Sequence, residues 1–174
     1  MAINIGINGF GRIGKLVFRA FVEKNLKGVE IVAINELGSL DSSLHLMQYD
    51  SIHGKLPVEI KKTSKGLKYK NKEIKFFSER DPKNLPWKQL KVDVVLECSG
   101  VFASKEKASS HLIAGAKKVI ISAPSKDAPM FVMGVNHESY DDQLVISNAS
   151  CTTNCLAPVA MIINNNFGIK SGII

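Results

Sequence analysis

The sequence predicts an α/β fold, doubly wound around a mostly parallel sheet. Two observations carry this: apolar, β-branched runs of strand length recur along the chain, and segments of helical period separate them. Ile3, Ile5 and Ile7 alternate as a first strand, until Gly9-Phe10-Gly11-Arg12-Ile13-Gly14 breaks the pattern. Between Lys15 and Asn25 the apolar residues Leu16, Val17, Ala20 and Phe21 fall at helical spacing. Val29 to Ile34 is then an apolar run typical of a strand covered on both faces, which completes a βαβ unit.

The same grammar returns later. Val92 to Leu96, Lys118 to Ile121 and Leu144 to Ile146 read as buried strands. Helices are expected from Ser104 to Ala114, closed by Gly115, and from about Cys151 to Asn165. Residues 55–91 differ. Short alternating pieces (Val58 to Lys61, Leu67 to Tyr69, Ile74 to Phe77) sit among lysines and predict an antiparallel excursion. Lys170 to Ile174 reads as the beginning of one more strand.

Composition narrows the class. The chain has 174 residues, 45% of them hydrophobic and 22% charged, enough for one domain with a core and contrary to disorder or fibrous repeats. No apolar run approaches the roughly 18–20 residues that cross a bilayer. The start, Met1 to Gly6, has no basic and apolar regions of a secretory signal. Three cysteines, Cys98, Cys151 and Cys155, form no disulfide framework and suggest a reducing cytoplasm. The net charge of +7 is concentrated in residues 55–91, where twelve Lys and Arg face four Asp and Glu. Of 23 basic residues 20 are lysines, with no aromatic stacking pattern beside them, so a solvated face is favoured over a nucleic-acid surface.

Gly9-x-Gly11-x-x-Gly14 follows a strand and opens a helix, and Glu36 lies 22 residues beyond its last glycine. Such glycines let the backbone turn tightly and approach a pyrophosphate seated on the helix N-terminus, as in a Rossmann domain. Glu36 at the end of the second strand is placed to accept from a ribose hydroxyl and to repel a 2′-phosphate, which favours NAD over NADP. Two rival readings exist. The glycines could serve a tight turn alone, and Gly9 to Lys15 nearly matches a P-loop, except that Leu16 stands where Ser or Thr would hold magnesium.

Ser147 to Cys155 carries the second signal. Cap-forming residues precede Leu156, Val159, Ala160 and Ile163, which puts Cys151 in the first turn of a helix, where unpaired N–H groups favour a thiolate. Cys155, one turn on, is expected on the buried side, and Cys98 is read as structural. His45, His53, His111 and His137 are scattered, so no metal site is expected.

Asn8 to Gly14, Tyr49 to Gly54, Glu97 to Phe102 and Ser147 to Cys155 closely resemble phosphorylating glyceraldehyde-3-phosphate dehydrogenases, in order through the whole chain. The resemblance implies an NAD-binding Rossmann domain over 1–150, with 151–174 supplying the catalytic-cysteine helix and first strand of a substrate domain. It implies that Cys151 attacks glyceraldehyde 3-phosphate, that NAD takes the hydride, and that inorganic phosphate releases 1,3-bisphosphoglycerate in glycolysis. Gly9, Gly11, Arg12, Ile13, Gly14, Glu36, Arg80, Ser99 and Ser122 match cofactor positions, and Ser150, Cys151 and Thr152 match substrate positions. Glu36 departs from the usual Asp. The family's general-base histidine and homotetramer-forming substrate domain match nothing up to Ile174, so the chain reads as an N-terminal half, catalytically incomplete alone. Two alternatives stay open: an erythrose-4-phosphate dehydrogenase, in which Asn-Glu also occurs at Asn35-Glu36, and a basic nucleotide- or nucleic-acid-binding module.

Overall fold

The computed structural model describes residues 2–173. The alternating isoleucines form β1 (Ile3–Asn8) and the glycine turn leads into α1 (Arg12–Glu23), which starts before the expected Lys15. β2 (Val29–Asn35) closes the βαβ unit. Next come α2 (Leu40–Gln48) and a small hairpin of β3 (Tyr49–Asp50) and β4 (Gly54–Lys55). The sequence pattern does not announce α2, because Leu46 is apolar yet turned to solvent and blurs the helical period.

The lysine-rich excursion holds β5 (Lys61–Thr63), β6 (Gly66–Tyr69) and β7 (Lys72–Phe77). β7 pairs parallel with β2, and β6 and β5 continue antiparallel from it, so the excursion widens the sheet instead of leaving it. β5 begins at Lys61 where the expected strand ends. β6 starts at Gly66, where φ is +155° and a Cβ would stand 2.1 Å from the Ile74 carbonyl oxygen, so glycine lets β6 lie against β7 there.

The second half supplies β8 (Val94–Glu97), α3 (Lys105–Ala108), α4 (Ser110–Ile113), β9 (Lys118–Ile121), β10 (Val145–Ser147) and α5 (Cys151–Phe167). The single helix expected over 104–114 is divided at Ser109 and ends at Gly115, whose φ is +102°.

The strand order is β10-β9-β8-β1-β2-β7-β6-β5. Its six parallel members have the order of a doubly wound dinucleotide-binding sheet, with the reversal between β1 and β8. Register aligns Phe77, Asn35, Asn8, Glu97, Ile121 and Ser147 as one row along the carboxyl edge. One core lies under α1 and α2, around Ile7, Phe10, Phe18, Ile34 and Met47. The other lies under α3 and α4, around Trp87, Val95, Val119 and Ile121. Trp87 fits because β1 carries Gly6, whose missing Cβ leaves only 3.2 Å to the indole.

α5 corrects one expectation. None of its residues is buried, and Cys155 is exposed, because no described element packs on the stripe of Leu156, Val159 and Ile163. Residues 170–173 form no strand, since no neighbouring strand among the described residues takes their backbone groups; Ile174 lies outside those residues. No described helix is long and apolar enough to cross a membrane.

Phe18 is fully buried and makes edge contacts with Phe10 and Tyr69. Phe18→Ala should cost about 3–5 kcal/mol of folding stability, read as a lower urea midpoint with an unchanged slope.

Candidate cofactor and active site

At the reversal between β1 and β8 the chain leaves the sheet toward opposite faces, and a cavity of about 390 Å³ opens there. Gly9, Gly11, Glu36, Arg80 and Ser99 line it together, four loops brought to one place by strand register. The three glycines do different work. Gly9 has φ +88°, and a Cβ would come within 2.5 Å of the Ser99 amide nitrogen, so only glycine lets the two loops touch. Gly14 lies in α1, where a Cβ would meet the Gly9 carbonyl oxygen at 2.2 Å. At Gly11 a Cβ would meet nothing within 4 Å. The space that a side chain would fill is left to a ligand.

α1 suits an anion. It is 12 residues long, has no side-chain cap at Gly11 and no acidic residue in its first turn, which leaves its N-terminal amides free for a phosphate. Glu36 Oε2 accepts from the Phe10 amide at 2.6 Å and Oε1 from the Gly38 amide at 3.0 Å. Each carboxylate oxygen keeps a lone pair, so Glu36 both shapes the glycine loop and can accept ribose hydroxyls. Lys15 donates to the Phe10 carbonyl and sits over the Phe10 ring. Burial pulls its pKa below the usual lysine value, against the opposing charge of Glu36. It braces the loop as no P-loop lysine does.

Other predicted residues lie outside this cavity. Gly14 is internal. Arg12 lines a neighbouring cavity with Gly11 and Lys15 and pairs with Asp50, and Ile13 is half exposed beside it. Ser122 follows β9 and hydrogen-bonds Cys98. Burial above all pushes the Cys98 thiol up to about 11, as befits a structural cysteine. Asn8, Asn35 and Phe102 line the cavity without having been singled out as site residues. A buried amide closing an apolar strand was the available signal for both asparagines.

Ser150, Cys151 and Thr152 stand further along the same edge, after β10. Ser150 Oγ caps α5 by accepting from the Thr153 amide at 3.0 Å, and Asn154 ties the first turn back to the carbonyls of Asn148 and Ser150. The preceding Ala149 is buried at φ +62°, a costly conformation for alanine. It is held by the Ser147 hydroxyl, which accepts from its amide at 3.0 Å. Cys151 is thus presented exposed on the first turn of a 17-residue helix.

A family model described as glyceraldehyde 3-phosphate dehydrogenase, NAD binding domain, matches residues 3–105. The chain belongs to the glyceraldehyde 3-phosphate dehydrogenase family. The C-terminal domain model of that family matches residues 150–174. The chain is 53% identical to the glyceraldehyde-3-phosphate dehydrogenase of Coccidioides immitis over 99% of its own length and 51% of the relative's. It is 51% identical to a cytosolic glyceraldehyde-3-phosphate dehydrogenase of Trypanosoma brucei brucei, over 99% of this chain and 52% of the relative. The figure for that of Xanthobacter flavus is 48%, again over 99% of this chain and 52% of the relative. The chain spans about half the length of the curated relatives it matches.

In this member of the glyceraldehyde 3-phosphate dehydrogenase family, the β3–β4 hairpin stands beside the start of α1. Asp50 organises it, accepting from the amides of His53 and Ile52 before its pairing with Arg12 is counted, and these bonds hold its carboxyl at about 2. A lowered carboxyl pKa adds stability above the unfolded value of about 3.9. That stability is lost as pH falls through the folded value. Protection of the amides in residues 50–55, relative to the intrinsic exchange rate at each pH, should therefore fall between about pH 4 and pH 2, and Asp50→Asn should abolish this acid step.

Proposed function

We propose that this chain supplies the NAD-binding half and the nucleophile of a phosphorylating glyceraldehyde-3-phosphate dehydrogenase. Residues 1–150 form its cofactor domain, and residues 151–174 open its substrate domain. The observation that carries this reading is a crevice at the strand-order reversal, lined by Gly9, Gly11 and Glu36, with a cysteine at a helix N-terminus on the same sheet edge. Gly11 and the amides of α1 would hold the pyrophosphate, Glu36 a ribose, and Arg80 and Ser99 the far side of the cavity. Arg12 and Ile13, in the first turn of α1, and Ser122, after β9, would meet the dinucleotide outside that cavity.

Cys151 attacks the aldehyde carbon of glyceraldehyde 3-phosphate through its thiolate, giving a thiohemiacetal. The Cys151 amide, at the open end of α5, holds the developing oxyanion. Ser150 and Thr152 flank the sulfur and orient the substrate. When bound, NAD supplies the hydride acceptor that turns the thiohemiacetal into a thioester. Inorganic phosphate then attacks the thioester carbonyl, releasing 1,3-bisphosphoglycerate and returning the thiolate. The longer protein would work as a cytoplasmic homotetramer. Two of the chain's four histidines are committed elsewhere: both ring nitrogens of His111 are bonded inside the core, and His137 accepts from the Gly134 amide. Without a base beside Cys151, the 174 residues alone should bind NAD but turn over little or no aldehyde.

Calorimetry tests the cofactor half directly. NAD should bind at least about tenfold more tightly than NADP, because Glu36 repels a 2′-phosphate. Gly11→Val should weaken NAD by about tenfold or more, its side chain filling the cradle. Equal affinity of the two proteins for NAD would sink the assignment.

A further inference from the structure

From Ser99 at the cavity a chain of buried polar groups runs inward, and the reading above does not use them. The indole Nε1–H of Trp87 donates to His111 Nδ1 at 3.0 Å, and His111 Nε2 meets Glu97 Oε2 at 2.9 Å. Asn8 Nδ2 donates to the same oxygen at 2.6 Å. Oε1 of Glu97 accepts from the Ser99 amide at 2.8 Å and from the Ser99 hydroxyl. Val101 N–H in turn donates to Ser99 Oγ at 3.1 Å. His111 is fully buried and Glu97 is 1% exposed.

Every proton in this chain has a fixed direction. An indole nitrogen and a backbone amide can only donate, and a carboxylate can only accept. Trp87 therefore claims Nδ1 of His111 as an acceptor, and the ring presents its one proton on Nε2 to Glu97. The Asn8 amide must turn its NH₂ toward Glu97, which leaves its Oδ1 to accept from Asn35 Nδ2 at 2.7 Å. Ser99 must spend its only hydroxyl proton on Glu97, and one of its two lone pairs is taken by Val101. The capacity left on that oxygen is a single acceptance.

We propose that Glu97 is a positioning residue of the cofactor crevice: by holding the Ser99 proton it makes Ser99 an obligate acceptor, selective for a hydroxyl or amino donor of the bound dinucleotide. This rests on the reading of the crevice as the NAD site. Replacing the carboxylate by an amide reverses the polarity. In Glu97→Gln the side-chain NH₂ can donate to Ser99 Oγ, whose proton then points away from residue 97 and toward a ligand donor; the residue-99 amide loses its acceptor with or without the hydroxyl, so that loss cancels between backgrounds. Asn8 remains bonded to Asn35, so the change is delivered mainly through Ser99.

A double-mutant cycle on NAD affinity in the 174-residue chain tests this. Glu97→Gln should raise the Kd for NAD by about tenfold and Ser99→Ala by about fivefold. In the Ser99→Ala background, Glu97→Gln should change Kd by less than about twofold. A merely structural glutamate would cost the same in both backgrounds, and that result would overturn the proposal. Should Glu97→Gln fail to fold, Ser99→Ala decides alone: an unchanged Kd overturns the proposal. The directions themselves are read from the ¹⁵N shifts of His111, which should show the proton on Nε2; a proton on Nδ1 overturns them. Failure of the unsubstituted chain to bind NAD overturns both readings, an outcome distinct from NAD binding that is indifferent to Glu97.

Discussion

Gly9 lets the chain leaving β1 touch the chain leaving β8, with its Cα where any Cβ would strike the Ser99 backbone. That contact sets the floor of the crevice, and much of the site follows from it. Because the two loops meet, Ser99 lies beside Asn8, and one carboxylate at Glu97 can bond both. Because the turn at Gly9 is tight, α1 begins at once and points its uncapped end back over the same edge. Glu36 then closes the third side through the Phe10 amide. A rigid cavity is thereby made from the ends of strands, whose positions the sheet fixes, with little left to loop flexibility.

The buried chain from Trp87 to Asn35 explains why such polar edges are tolerated in a sheet otherwise packed with Val, Ile and Leu. A charged carboxylate in the interior is costly unless its lone pairs are occupied, and here four donors converge on Glu97. The network sits on the α3–α4 face, so each helix packing there also helps to hold the crevice. Stability and binding thus share residues, and separating them requires comparing backgrounds instead of single variants.

Much of this was legible in the chain itself. β-branched runs located the parallel strands, and the spacing from Gly14 to Glu36 located the crevice, because both signals depend on residues near each other in sequence. α2 and the β3–β4 hairpin were not: Leu46 blurs the helical period, and Arg19 of α1 ties the two together from a distance, its guanidinium donating to the Met47 and His53 carbonyls. No local pattern reports that tie. Nor could spacing reveal that Asn8, Asn35 and Glu97 form one row, which requires the register of three strands. The expected burial of Cys155 was misleading for a related reason: an apolar stripe tells which face of a helix should be covered, not which element covers it.

The two halves of the site therefore differ in how they are supported. The crevice is lined by residues between Asn8 and Phe102, at or just beyond the ends of four adjacent strands. Cys151 is instead anchored, among the described residues, from behind, by the Ser147 hydroxyl, the Ala149 turn and the Asn154 amide, while its helix projects an apolar stripe to solvent. A side chain held at its base has a fixed direction relative to the sheet edge, but its surroundings are set by whatever meets α5. The shape of the crevice is accordingly a property of the β1–β8 junction, whereas the environment of the Cys151 sulfur depends on the apolar face that follows it. The same 17-residue helix links the two, with its capped start on the cofactor edge and its Leu156, Val159 and Ile163 stripe facing outward.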